Sequence, residues 1–418
     1  MQIALLMIVG TGCLCGLACA KTQDPGTLPL LEVRQSIGIL YTEIDPAHQD
    51  AIDSAFGELL DRGLHGYEAS MDWLEFVNDD WSIDTSVLEA VLGGLNDLGL
   101  VPYMSIATID TNNLQIPLSF RDPSDERELA PAMSWDDPLM ISRFGEFIDV
   151  LVPILIEHGG YYLAIGNEVD IWLNGHPDQI SAYTTFVDAA RTRVHAIAPQ
   201  LAVGTTLTGE VLGHPEISEP LIGVSDAVSY TYYHMIDGQV LDPDLFPAVL
   251  DALVALAGDK QIVFQEVGYP SGWATDTTIG SSTQLQREFI KVLFPAMASH
   301  EQIRFWSFLH VGDWGDDLLA IFEEYYGISS PEFLEYLGTL GLIWNDGSPK
   351  PAYQEFLIGL GGCRVDITGD GKVDTDDLYA LSATPVDING DGSADGSDIK
   401  CLEKYLRRFE LRDLIHQP

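Results

Sequence analysis

Between about Ile37 and Gly361 short apolar runs alternate with amphipathic helical stretches, a pattern that confines the chain to α/β architecture with parallel strands. Eight candidate strands can be read: Ile37–Tyr41, Leu64–Ala69, Val101–Ala107, Tyr161–Gly166, Leu201–Thr206, Ala227–Tyr233, Gln261–Val267 and Arg304–His310. Helical periodicity fills the gaps, as in Gln49–Arg62, Ile141–Glu157 and Ile180–Ala198, where Ala198-Pro199 stops a helix just ahead of the next strand. The rival, an open doubly wound sheet, usually carries a Gly-rich phosphate turn after its first strand. Here that strand runs into Tyr41-Thr42-Glu43-Ile44-Asp45-Pro46 instead. The expected fold class is α/β, a (β/α)8 TIM barrel with a small second module behind it.

The division expected along the chain is 1–20 signal peptide, 21–362 barrel and 363–418 module, with the Gly-rich stretch Gly359-Leu360-Gly361-Gly362 at the boundary. Residues 1–20 carry no charged side chain, and Ala18-Cys19-Ala20 before Lys21 is an A-x-A pattern, so cleavage after Ala20 is expected. A membrane anchor and a lipoprotein signal on Cys19 are the alternatives. No other segment is long and apolar enough to span a bilayer. The expected location is secreted, with attachment to the cell surface open. Of the five cysteines, Cys13, Cys15 and Cys19 leave with the signal, and Cys363 and Cys401 are expected to pair as a disulfide in an oxidising compartment.

Sixty-four acidic residues against 20 Lys and Arg give a formal charge of −44. A field of this sign repels nucleic acid and anionic membranes and disfavours strongly anionic substrates. Solubility in a saline setting accounts for it, as does calcium binding.

Barrel enzymes carry their chemistry at the C-terminal ends of the strands. The fourth candidate strand ends Gly166-Asn167-Glu168, and the seventh ends Glu266-Val267-Gly268-Tyr269-Pro270. Glycoside hydrolysis needs two carboxyl groups flanking the bond, one to protonate the leaving oxygen and one to attack the anomeric carbon or activate water.

In this placement the two motifs resemble the signature of the clan A retaining glycoside hydrolases. The resemblance implies Glu168 as acid/base, Asn167 as ligand of the sugar 2-hydroxyl and Glu266 as nucleophile. It also implies a Tyr or His beside the nucleophile on strand six, for which Tyr233 is favoured over Tyr232, and a sugar-stacking Trp near strand eight, for which Trp306 and Trp314 are the candidates. Many members carry an Arg at the end of strand two, whereas this chain reads Tyr67-Glu68-Ala69-Ser70-Met71-Asp72-Trp73. Trp73, Trp81, Trp135, Trp172 and Trp273 could line a sugar cleft or pack in the core. His158, His195 and His214 are read as surface or structural residues. Double displacement is expected, with Glu168 kept protonated by burial and by the Glu266 charge, and with no metal in the chemistry.

The last segment reads differently. Asp366, Thr368, Asp370, Lys372 (through its carbonyl), Asp374 and Asp377 stand at calcium-loop spacing around Gly371. Asp387, Asn389, Asp391, Ser393 (through its carbonyl), Asp395 and Asp398 repeat the pattern. Two such loops resemble an EF-hand-like type I dockerin, which implies structural Ca2+ and a cohesin-like partner. The repeats lie closer together than is usual in dockerins.

The expected function is a secreted glycoside hydrolase, an endo-β-glycanase on a neutral oligo- or polysaccharide. Two competing readings are a non-catalytic carbohydrate-binding barrel and a cell-surface scaffold component acting through its dockerin-like module. The presence of both Glu168 and Glu266 argues against the first of these.

Overall fold

The structure, a computed structural model, describes residues 36–41, 48–64, 66–275 and 277–361, and of the C-terminal segment 367–368, 375–386, 394–396, 398–400 and 402. The signal segment therefore lies outside the described residues.

Eight parallel strands form the frame. They are β1 (Ser36–Ile39), β2 (Gly66–Asp72), β3 (Val101–Asp110), β4 (Tyr162–Asn167), β5, β6 (Ala227–Tyr233), β7 (Gln261–Gly268) and β8 (Ile303–Phe308), with β5 in two pieces, Ala202–Gly204 and Thr206–Thr208. All eight coincide with the apolar runs of the sequence. Hydrogen-bonded pairing runs β2-β3-β4-β5 through one half and β5-β6-β7-β8-β1 through the other. The ring closes where β1 packs beside β2, and a Cβ on Gly38 would sit 2.9 Å from the Gly66 carbonyl oxygen.

Helices follow the strands in turn: α1 (Gln49–Asp61), α2 (Ser86–Asp97), α3 (Pro138–Glu157), α4 (Val169–Gly175), α5 (Ile180–Ile197), α6 (Pro215–Val224), α7 (Phe246–Ala257) and α8 (Thr283–Ala298). After β8 come α9 (Asp316–Tyr326) and α10 (Pro331–Gly338), an addition to the plan, and then α11 (Pro351–Gly361). In α1 the residues Ile52, Ala55, Phe56 and Leu59, spaced as one helical face, are the buried ones. The start of α3 is set by Asp137, whose carboxylate accepts from the Leu139 backbone N–H at 2.8 Å, and by Pro138 at the first helical position.

Alternation along the strands sorts side chains between two cores. Outward residues such as Ile165, Phe264, Trp306 and Phe308 join the large core beneath the helices. Inward residues Tyr103, Tyr162, Ala164, Ala202, Ala227, Val263 and Phe305 plug the barrel. Tyr103 and Phe305 stack with centroids 3.8 Å apart, a pair adding about 0.5–1.5 kcal/mol beyond its burial.

The segment between α10 and α11 is bolted inward by Lys350. Its Nζ donates to Asp313 Oδ1 at 2.6 Å, Gly341 O at 2.8 Å, Ser271 Oγ at 3.0 Å and Thr339 O at 3.2 Å, with both charged side chains buried. Among the described residues no helix is long and apolar enough to cross a membrane.

Candidate active site

The mouth of the barrel is built from the C-terminal ends of β3, β4, β6 and β7. On β4, regular alternation ends at Gly166, whose φ of +83° is left-handed backbone. A Cβ there would lie 2.3 Å from the Tyr183 hydroxyl and 2.4 Å from Val169 Cγ1, so the position needs glycine. Glu168 follows at φ 48°, ψ 40°, also left-handed, and caps α4. Two successive departures from extended geometry bring Asn167 and Glu168 to the same mouth.

On β7 a bulge does the same work. The register with β6 steps from Tyr230↔Phe264 to Thr231↔Glu266 and leaves Gln265 without a counterpart. Under strict alternation Glu266 would share the outward face of Phe264, in the core beneath the helices. The extra residue turns it into the mouth beside Gln265.

Each carboxylate is held by hydroxyls. Tyr233 donates to Glu266 Oε2. Thr111 Oγ1 donates to Glu168 Oε2 at 2.8 Å and Thr231 Oγ1 to Glu168 Oε1 at 2.6 Å. A chain of bonds crosses beneath the pair. Thr206 Oγ1 donates to Gln265 Oε1 at 2.8 Å, Gln265 Nε2 to Asn167 Oδ1 at 2.9 Å and Asn167 Nδ2 to Asp110 Oδ1 at 2.9 Å. The Tyr325 hydroxyl donates to the other oxygen of Asp110.

Burial first, and then the neighbouring Glu266 charge, pushes Glu168 up to about 8, against the pull of the Thr231 and Thr111 hydrogen bonds. Burial pushes Glu266 up to about 7, with the Tyr233 hydrogen bond opposing and the Asp110 charge adding. Burial and the neighbouring charges thus disfavour ionising both carboxyls at once, so the pair retains a proton above the usual carboxylate range. Strand β2 carries no Arg, and its buried Glu68 lies near Glu266 and Asp110. Burial holds it well above the usual carboxylate range, and its Oε1 has no hydrogen-bond partner among the described residues.

The structure thus brings Asn167, Glu168, Tyr233 and Glu266 together. It does not bring Tyr232, Trp306 or Trp314 to them. Tyr232 lies one residue out of phase with Tyr233 on β6. It is 7% exposed and packs on Phe246, its hydroxyl 2.7 Å from His234 Nδ1. Trp306 is fully buried on the outward face of β8, against Phe294 and Phe356. Trp314 is 6% exposed, stacked on His310 at 4.4 Å and on Phe322 at 4.5 Å, and so presents no ring face to a sugar. These three substrate-binding assignments are corrected on that ground. Trp73, Trp135 and Trp172 are also core residues, whereas Trp273 is 37% exposed.

Sequence reading missed Asp110, Thr111, Thr231, Gln265 and Tyr325. Asp110 carried a usable signal, an acid at the end of an apolar strand, as with the two glutamates. The others carry none.

In the C-terminal segment the ligands Asp366, Asp370, Lys372, Asp374, Asp387, Asn389, Asp391 and Ser393, with Cys363 and Cys401, lie outside the described residues. Asp377, at the twelfth position of the first loop, accepts from the backbone N–H of Ile367 at 2.7 Å and of Thr368 at 2.9 Å. Asp398, twelfth in the second, accepts from the Asp395 N–H at 2.7 Å. Among the described residues no group of three or more His, Cys, Asp or Glu is placed to hold a metal ion.

No family model matches the chain, and no curated protein does. Solved structures of similar fold do exist. An exo-β-1,4-mannosidase from Opitutaceae bacterium strain TAV5 matches at TM-score 0.59 and 14% identity over 78% of this chain and 59% of that one. A GH5_18 protein from Streptomyces cattleya in complex with Manβ1-4GlcNAc matches at TM-score 0.56 and 14% identity over 78% and 80%. Xylanase 10B from Thermotoga maritima matches at TM-score 0.53 and 14% identity over 78% and 94%. The likeness is one of fold.

Proposed function

We propose that the chain is a retaining O-glycoside hydrolase acting on β-linkages of a neutral glycan. The observation that carries this reading is the pair Glu168 and Glu266 at the ends of β4 and β7, one favouring its proton and the other fixed by Tyr233. The carbohydrate enzymes among the structures of similar fold support a sugar substrate.

In the first step Glu266 attacks the anomeric carbon and Glu168 gives its proton to the departing oxygen, forming a glycosyl ester. As Glu266 loses its charge in the ester, the electrostatic support for the Glu168 proton falls, which suits Glu168 to act next as base on water. Water then cleaves the ester and restores both groups. Asn167, fixed by Asp110 and Gln265, is placed to meet a sugar hydroxyl.

The test is Glu266→Ala with and without azide on aryl β-glycosides. Loss of turnover, with azide restoring formation of the inverted glycosyl azide, is the expected result. Undiminished hydrolysis in the variant overturns the assignment of Glu266, and no hydrolysis by the parent chain favours the binding-barrel reading.

We also infer that the two C-terminal loops hold structural calcium. The return of Asp377 to the backbone of residues 367 and 368 supports a loop that closes on itself, and calorimetric titration of the full chain tests it. A cohesin-like partner rests on resemblance alone, and pulldown with and without calcium decides it. Secretion rests on residues 1–20 and is checked by N-terminal sequencing of the mature protein.

A further inference from the structure

The added pair α9–α10 lies across part of the barrel mouth, and three of its tyrosines reach the site. Tyr325 is pinned to the end of β3. Its hydroxyl donates to Asp110 and accepts from Gln115 Nε2 at 2.5 Å, while its carbonyl accepts from Arg127 Nη2 at 3.2 Å. Burial, and then the charges of Asp110, Glu168 and Glu266, push the Tyr326 hydroxyl up, which sets it beside the carboxylates. Tyr336 meets Tyr233, the partner of Glu266, in an edge-on ring contact at 5.2 Å.

At its other end the pair is tied to the loop after β7. The buried carboxylate of Glu335 accepts from the backbone N–H groups of Trp273 at 2.9 Å, Thr278 at 2.6 Å and Ile279 at 3.3 Å. Leu319 and Leu337 pack with Leu309, Trp314 and Leu340 over the end of β8. The insertion therefore fences the arc of the mouth from the end of β6, where Tyr336 meets Tyr233, through β7, β8, β1 and β2 to β3, leaving β4 and β5 open.

In a ring of eight strands β8 stands opposite β4, which carries Glu168. The group that Glu168 protonates departs on the β4 side, so the fenced side is where the glycone sits. Tyr325 holds Asp110, and the Tyr336 ring lies against Tyr233, which holds Glu266, so the pair crowds the space behind the first sugar. Asp110 and Glu68 face the same space, which suits a neutral ring.

We propose that α9–α10 closes the glycone side, so that the enzyme removes single sugars from the non-reducing end of a neutral β-linked oligosaccharide, in place of the internal cleavage expected from sequence. This rests on the glycosidase reading above.

The experiment uses the full chain on short gluco-, manno-, xylo- and galacto-oligosaccharides labelled at the reducing end, with products sized early in the reaction. Release of monosaccharide, with the label one sugar shorter, is the expected outcome. Labelled fragments from internal cuts overturn the fence and leave the glycosidase reading standing. No cleavage of any substrate, aryl glycosides included, overturns both.

A second measurement needs no variant. The aglycone should be released directly from the aryl β-monosaccharide roughly 100-fold faster than from the aryl β-disaccharide, whose first cut falls between its two sugars, and equal rates of direct release speak against the fence. Tyr326→Ala, checked for an unchanged melting curve, should narrow that ratio about tenfold, and an unchanged ratio in a folded variant removes Tyr326 from the wall.

Discussion

Thr231 on β6 donates a 2.6 Å hydrogen bond to Glu168 Oε1, tying the proposed proton donor to the strand that also carries Tyr233. The bond favours the charged carboxylate and so holds the Glu168 pKa down. Thr231→Val keeps the shape and removes the donor. The basic limb of the kcat/KM profile should then move to higher pH by up to about 1 unit, because Glu168 keeps its proton longer. A pH series on an aryl glycoside measures it, and a limb that stays put contradicts the role given to Thr231.

Tyr233→Phe removes the hydroxyl that holds Glu266 Oε2. That bond lowers the Glu266 pKa, so the acidic limb should also move upward. Loss of the orienting donor should cost roughly 100-fold in kcat. Tyr232→Phe, on the outward face, should leave both limbs unchanged.

Burial of Glu168 has a thermodynamic signature as well. Its pKa is raised in the fold, so the folded state binds the proton more tightly than the unfolded chain. Stability is therefore lost as pH rises from the ordinary carboxylate range through about 8. Glu168→Gln escapes that loss. Its melting temperature should exceed that of the parent by several degrees near pH 8, with a much smaller gain near pH 4. A gain that is the same at both pH values contradicts the assignment.

Gly166→Ala places a methyl group against Tyr183 and Val169 in left-handed backbone. Destabilisation of at least about 1–3 kcal/mol is expected in denaturant titration. A shift of Glu168 by even 1 Å should lower kcat about 100-fold as well.

Lys350→Met strips the countercharge from buried Asp313. The expected cost is about 3–5 kcal/mol at pH 8. Burial already holds Asp313 up at about 6 despite Lys350, so without the Lys it protonates more readily. The deficit should shrink toward pH 5, and a deficit independent of pH would argue that lost packing dominates.

The barrel was legible in the sequence because each strand buries both faces and reads as an uninterrupted apolar run. Glu168 and Glu266 were legible because they stand where such runs stop. Tyr232 and Trp306 were misjudged because a residue's type says nothing of its phase, and both point away from the barrel interior. Asp110 was missed because β3 extends to residue 110, three positions beyond the apolar run that marked it. The tyrosines of α9–α10 were beyond reach, since Tyr325 meets Asp110 across a separation of 215 residues that no local pattern encodes.

The bulge on β7 lets two neighbouring side chains, Gln265 and Glu266, face the same mouth. Deleting Gln265 would restore plain alternation with Glu266 still inward opposite Thr231, and would take away the amide that holds Asn167. One lost codon would thus leave Glu-Val-Gly-Tyr-Pro intact while cutting the link between the ends of β7 and β4.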